Sequence, residues 1–193
     1  MSVPPRILAF AGSLRQASYN KKLVRLAAEG ARAAGAEVTV ADLRDYPMPV
    51  YDEDLEKAQG LPEMAMKWKQ LLISHHGFLI SAPEYNSSIT AALKNAIDWA
   101  SRPSPGEPPL VAFRGKSASL MSASPGQLGG LRGLVTVRSI LGNIGVLVLP
   151  DQLAIARAHE AFTADGSLKD AQQLEAIRGL GKALATMLRK LGA

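Results

Sequence analysis

The sequence contains no cysteine, and its 193 residues include no apolar run of 18 or more. The first absence excludes disulfides, thiolate metal sites and a cysteine nucleophile, and the second leaves no candidate for a membrane-spanning helix. Aromatic residues make up only 5% of the chain and basic residues form no block, so nucleic acid is not an expected partner. The N-terminus lacks the layout of a signal peptide, so we expect a cytoplasmic protein.

Several catalytic signatures are also missing. No Gly-x-Gly-x-x-Gly follows the first apolar run, which argues against a dinucleotide fingerprint there. Gly115-Lys116-Ser117 resembles the end of a P-loop, but Leu110 occupies the position of that motif's first glycine. The three histidines lack the spacing of metal ligands, so we predict no metal site. None of them follows an aspartate by three residues, which disfavours a hydrolase with Ser13 as nucleophile.

What remains is the pattern of a globular α/β protein, 47% hydrophobic and 20% charged, with a formal net charge of +5. Short apolar runs alternate with amphipathic stretches, which is typical of a parallel sheet covered by helices on both faces. We predict one domain over residues 1–193 with a flavodoxin-like, doubly wound, five-stranded parallel sheet of order 2-1-3-4-5. The predicted strands are 6–11, 37–42, 77–82, 116–122 and 145–149, and the predicted helices are 20–34, 62–74, 90–101, 131–141 and 169–191.

The most informative segment is the polar loop from Gly12 to Asn20, which joins the first predicted strand to the first helix. The first turn of a helix leaves backbone N–H groups unpaired, and the helix dipole favours negative charge there. Serine and asparagine side chains add donors, and an arginine adds a fixed positive fork. The loop therefore predicts a phosphate site, whose candidate residues are Ser13, Arg15, Ser18, Tyr19 and Asn20.

Two further loops follow the third and fourth predicted strands. In Pro83-Glu84-Tyr85-Asn86-Ser87, a proline or tyrosine can lie along a flat ring and an asparagine can bond to the ring's edge. The alternative is a turn that only caps the next helix. The loop from Ser122 to Gly130, with Gly126 within it, allows backbone N–H groups to approach a ligand closely. Its alternative interpretation is a flexible surface loop.

Other segments are predicted to be structural. Residues 43–60, rich in proline, tyrosine and acidic residues, are expected to form a loop in which Asp52-Glu53-Asp54 is solvated. Trp99 falls at helical spacing among apolar residues, which predicts a core or subunit-interface position.

The loop motifs resemble the NAD(P)H-dependent FMN reductase family, in particular its bacterial quinone and chromate reductase branch. Gly12-Ser13-x-Arg15-x-x-Ser18-x-Asn20 and Pro83-Glu84-Tyr85-Asn86 carry the resemblance, which spans nearly the whole chain. It implies non-covalent FMN. Its phosphate would be held by Ser13, Arg15, Ser18 and Asn20, and its ring would be contacted by residues 83–86 and, at the other edge, by Ser122 and Gly126.

The same resemblance implies an enzyme that takes hydride from NADPH or NADH and passes two electrons to a quinone or similar small-molecule acceptor. It also implies a homodimer or homotetramer with the flavin near a subunit interface. The alternative is a flavodoxin-like electron carrier without its own NAD(P)H oxidase activity. Because such carriers are typically acidic, the net charge of +5 disfavours it.

Overall fold

A computed structural model describes residues 3–192, and five of its strands form one parallel sheet. The sheet has the order β2-β1-β3-β6-β7, which confirms the predicted order 2-1-3-4-5. Two further strands form a separate antiparallel hairpin that the sequence patterns did not predict. The sheet strands are β1 (Arg6–Ala11), β2 (Glu37–Asp42), β3 (Gly77–Ser81), β6 (Ser117–Ala123) and β7 (Leu147–Ile155), and the hairpin strands are β4 (Glu84–Tyr85) and β5 (Ser88–Ile89).

Helices cover both faces of the sheet. One face packs against α1 (Tyr19–Ala33) and α7 (Ala171–Lys190), and the other against α3 (Glu63–Ile73), α4 (Ala91–Ser101) and α5 (Leu131–Asn143). Two short helices, α2 (Glu53–Gln59) and α6 (Ala158–Ala161), lie in connections where no helix was predicted. Within residues 3–192, no helix combines the length and the apolarity that crossing a membrane would need.

The interior strand β1 shows why the sheet is buried on both sides. Its side chains alternate between two cores, because successive residues of a strand point to opposite faces. Ile7 and Ala9 join the core under α1 and α7, whereas Leu8 and Phe10 join the core under α3 and α4. Both faces are therefore apolar, and the strand is a continuous hydrophobic run in the sequence.

The predicted end of the last strand, at residue 149, was wrong, because β7 continues to Ile155. Pro150 looks like a strand terminator, since it has no N–H to donate to a ladder. However, β7 is an edge strand, and its pairing with β6 shifts register between Ala118 and Leu120, opposite this proline. An edge position and a bulge are the places where a sheet accepts proline.

The expectation of a plain loop over residues 43–60 was also wrong. Residues 53–59 form α2, and the carboxylate of Asp52 caps it by accepting hydrogen bonds from the amides of Asp54 and Leu55. The acidic cluster Asp52-Glu53-Asp54 is exposed, as expected. The indole N–H of Trp99 donates to the carbonyl of Pro49 at 2.8 Å, and Asn95 bonds to both Pro49 and Tyr51. The segment is thus docked onto α4, and Trp99 lies in the interior as expected, with no exposed surface.

Candidate active site

The loop between β1 and α1 has the features of an anion site. Ser18 is the N-cap of α1, yet its side chain makes no capping hydrogen bond, and the first turn of the helix contains no acidic residue. Ser13 and Ser18 are almost buried, while Arg15 is exposed at the rim. The unpaired amides of the first turn, two hydroxyl groups and a guanidinium therefore lie together with no carboxylate in that turn to repel a phosphate.

Contacts with α4 hold the start of this loop. The hydroxyl group of Thr90 donates to the carbonyl of Gly12 at 2.6 Å and accepts from the amide of Leu93 as the N-cap of α4. A Cβ at Gly12 would lie 2.8 Å from Cβ of Leu93, so only glycine lets the loop pass this close. Thr90 was missed by the sequence analysis. Its signal was present, because a threonine directly before an apolar helical pattern is a typical N-cap.

Two predicted residues of the loop direct their side chains away from its rim. The ring of Tyr19 stacks on Phe162, with centroids 5.5 Å apart and an interplanar angle of 22°. The side chain of Asn20 is bonded within the protein to Ser81 and Ala123. Both residues still belong to the first turn of α1, so their backbone N–H groups remain part of the anion site.

The second loop is a hairpin rather than a helix-capping turn. Asn86 and Ser87 connect β4 to β5, and both have positive φ, 51° and 65°. A two-residue turn with positive φ at both positions suits the twist of paired strands, but it is costly for serine. The turn places Tyr85, Asn86 and Ser87 at the surface, whereas Pro83 is buried at the end of β3.

The carboxylate of Glu84 is bonded to the start of α5. One of its carboxylate oxygens accepts from the amides of Arg132 and Gly133, at 3.0 and 3.3 Å, and the other accepts from the guanidinium of Arg132 at 2.7 Å. Burial raises the pKa of Glu84, but these hydrogen bonds outweigh burial and hold its pKa below the ordinary value. Glu84 therefore caps α5 and fastens the hairpin to it.

The third loop, residues 124–130, is exposed from Pro125 to Leu128 and packed at its end. Gly130 has φ of +95°, and a Cβ there would lie 2.0 Å from the hydroxyl oxygen of Ser122. Ser122 is fully buried beneath it, and its hydroxyl has no partner within residues 3–192. A direct contact between the Ser122 side chain and a ligand is therefore not what this geometry favours. Gly126 is exposed at the tip of the loop.

Beside the phosphate loop lies an open cavity of about 330 Å³. It separates Leu14 from the docked segment that follows β2, and its lining is mostly apolar. Arg44 and Asn95 supply its polar groups, and the guanidinium of Arg44 is paired with Asp42. Residues 3–192 contain no group of three or more His, Cys, Asp or Glu side chains arranged to hold a metal ion.

Together, the parallel sheet of order β2-β1-β3-β6-β7 and the position of these loops at its carboxyl edge define a flavodoxin-like protein. A family model described as NADPH-dependent FMN reductase matches residues 5–160. The chain belongs to this family, as its motifs predicted. It is thus an FMN-dependent oxidoreductase that uses a reduced nicotinamide cofactor.

Individual relatives agree with this assignment. A Pseudomonas aeruginosa protein named NAD(P)H-dependent FMN reductase is 35% identical over 192 residues, which cover 99% of each chain. A quinone reductase of Pseudomonas putida is 36% identical over 172 residues, or 88% of each chain. The structure of FerB, a flavoenzyme NAD(P)H:(acceptor) oxidoreductase from Paracoccus denitrificans, matches with a TM-score of 0.79 at 29% identity, covering 97% of this chain and 98% of that one.

Proposed function

We propose that this enzyme reduces a quinone, or a similar small-molecule acceptor, with electrons from NADPH or NADH. The observation that carries the proposal is the anion loop with an unused N-cap hydroxyl and no acid in its first turn, joined by hydrogen bonds to the two loops beside it. Quinone as the acceptor is supported by relatives named quinone reductase at 36% and 33% identity.

The residues present fit FMN. The phosphate would be held by the hydroxyl groups of Ser13 and Ser18, the guanidinium of Arg15 and the first-turn amides of α1. The exposed residues of the hairpin, Tyr85, Asn86 and Ser87, would contact the ring, and the backbone around Gly126 would meet its other edge. Pro83, Glu84 and Ser122 would act from beneath, as supports of these loops.

When bound, FMN would supply the redox chemistry that moves two electrons from NAD(P)H to the acceptor. The protein's part is to orient both partners and to stabilise negative charge. Arg15 and the positive end of the α1 dipole would stabilise the charge of the phosphate. A ping-pong scheme, in which the oxidised nucleotide leaves before the acceptor binds, requires no acid or base among the side chains.

Assembly, acceptor range and location complete the proposal. We propose a homodimer or homotetramer, supported by an exposed apolar strip beside the hairpin that comprises Leu128, Leu131 and Val135. Chromate belongs to the proposed acceptor range through the resemblance to the quinone and chromate reductase branch. The need for reduced nicotinamide nucleotide supports the proposed cytoplasmic location.

The test uses the purified protein with FMN. Oxidation of NADPH and NADH is followed with a panel of quinones and with chromate, and FMN affinity is measured by quenching of flavin fluorescence. We expect Arg15→Ala to raise the Kd of FMN about tenfold, as the loss of one charge-assisted hydrogen bond predicts. Arg114→Ala is the control, because it removes the same charge at the opposite, amino-terminal edge of the sheet. Failure of the wild-type protein to bind FMN would overturn the proposal, as would NAD(P)H oxidation that no quinone accelerates.

A further inference from the structure

We propose that Asn20 is a positioning residue that couples the phosphate half of the site to the ring half. The inference rests on the proposed assignment of the three loops to FMN. Asn20 belongs to the first turn of α1, and only 4% of it is exposed. It differs from Arg15, whose side chain is free at the rim, because its side chain is already bonded within the protein.

The side-chain amide of Asn20 bridges the ends of two other strands. Its oxygen accepts from the hydroxyl group of Ser81 at 2.8 Å and from the amide of Ala123 at 3.0 Å, and its nitrogen donates to the carbonyl of Ala123 at 2.8 Å. Ser81 is the last residue of β3 and Ala123 is the last residue of β6. The segment that leads to the hairpin starts after Ser81, and the glycine-containing loop starts after Ala123.

The side-chain amide of Asn20 replaces a backbone partner at the point where the hydrogen bonds between β3 and β6 end. The ladder between β3 and β6 ends with a bond from the amide of Ala82 to the carbonyl of Met121 at 2.8 Å. Two residues further on, Ala123 finds both a donor and an acceptor on Asn20, as it would on a neighbouring peptide group. Three of the four hydrogen bonds that an asparagine amide can form are thereby used.

This arrangement has a consequence for binding. Without the Asn20 side chain, the buried amide of Ala123 and the hydroxyl of Ser81 each lose a partner, and restoring one requires both loops to move. The loops that would contact the ring are therefore expected to shift even though the phosphate loop keeps its own donors. A direct contact between Asn20 and phosphate would instead weaken phosphate binding alone.

Riboflavin separates the two possibilities, because it carries the ring but not the phosphate. The Kd values of FMN and riboflavin are measured by fluorescence quenching for the wild-type protein, Asn20→Ala, Ser81→Ala and Arg15→Ala. We expect Asn20→Ala to raise both Kd values by a similar factor, on the order of tenfold. Ser81→Ala should raise both by a smaller factor, and since Ser81 is fully buried it cannot act by touching the flavin. Arg15→Ala should raise only the Kd of FMN.

A spectroscopic readout excludes a purely structural role. The visible circular dichroism of bound FMN should change in Asn20→Ala and Ser81→Ala at saturating flavin, and it should be unchanged in Arg15→Ala. If Asn20→Ala weakens FMN binding but not riboflavin binding, Asn20 contacts phosphate directly and the proposal fails. It also fails if the melting temperature falls while both Kd values and the dichroism stay constant.

The remaining outcomes are also decisive. If Asn20→Ala does not fold, Ser81→Ala alone decides, and constant Kd values in that variant overturn the proposal. If the wild-type protein binds FMN but not riboflavin, the loops that would contact the ring contribute no measurable binding affinity. The positioning role of Asn20 is then refuted, while the assignment of FMN stands. If it binds neither flavin, the proposed function itself is wrong.

Discussion

Replacing Gly130 by alanine tests whether the third loop is held by packing against β6. The new Cβ would lie 2.0 Å from the hydroxyl oxygen of Ser122 and 2.9 Å from its Cβ, and the residue would keep φ of +95°. Two costs therefore add. The left-handed conformation costs about 1–2 kcal/mol for a residue with a Cβ, and overpacking a filled site costs roughly 1–3 kcal/mol. We expect a loss of about 2–5 kcal/mol in the free energy of unfolding, as the sum of the two.

Gly115→Ala is the matched control. Gly115 also has a positive φ, +75°, but a Cβ there would meet nothing within 4 Å. This variant should therefore lose only the conformational part, about 1–2 kcal/mol. Both substitutions restrict the unfolded chain equally, so that contribution cancels in the comparison.

The assay is urea-induced unfolding followed by circular dichroism. A second substitution, Ser122→Gly, removes the atoms that clash, so the double variant should recover the overpacking part of the loss, and the coupling free energy should be about 1–3 kcal/mol. Equal destabilisation by Gly130→Ala and Gly115→Ala would refute the reasoning, as would strictly additive effects in the double variant. FMN affinity should also fall in Gly130→Ala, since the loop would have to move away from Ser122.

Three further predictions concern other contacts. Thr90→Val leaves the carbonyl of Gly12 without its donor and α4 without its cap, and we expect a loss of roughly 2–3 kcal/mol in unfolding free energy by urea titration; a loss below 0.5 kcal/mol would contradict the geometry. Burial, together with the positive charges of Lys116 and Arg6, lowers the pKa of His75 despite its bond to a backbone carbonyl. As pH falls below the ordinary histidine pKa of about 6.5, the unfolded state therefore binds more protons than the folded state, and the free energy of unfolding should decline. The decline should be shallower in His75→Gln, and an identical decline in that variant would contradict the interpretation. Asn95→Leu removes the two hydrogen bonds that Asn95 makes to the segment after β2 and leaves the bond from Trp99 to Pro49. Amide exchange at Tyr51, read by NMR, should therefore accelerate about tenfold or more, whereas the same substitution should leave α1 amides unaffected.

Much of the fold followed from local sequence patterns. The apolar run of β1 is buried on both faces, which is why it could be recognised without any knowledge of its neighbours. Alternation of such runs with amphipathic helices was enough for the strand order and for the position of the three loops. The last strand was predicted to end before Pro150, where a proline usually ends a strand. Only the pairing with β6 shows that Pro150 lies at a bulge in an edge strand, where a sheet accepts proline.

The site divides in a similar way. A strand, a polar loop and a helix start are contiguous in the chain, so the sequence by itself predicted an anion site after β1, and its motifs indicated the family. Which side chains face a ligand was decided by tertiary structure. Asn20 and Glu84 are polar residues in binding motifs, yet their bonds go to residues 103 and 48 positions away, Ala123 and Arg132. Such partners are set by how strands and loops meet in space, because a hydrogen bond depends on distances of about 3 Å that no local pattern encodes.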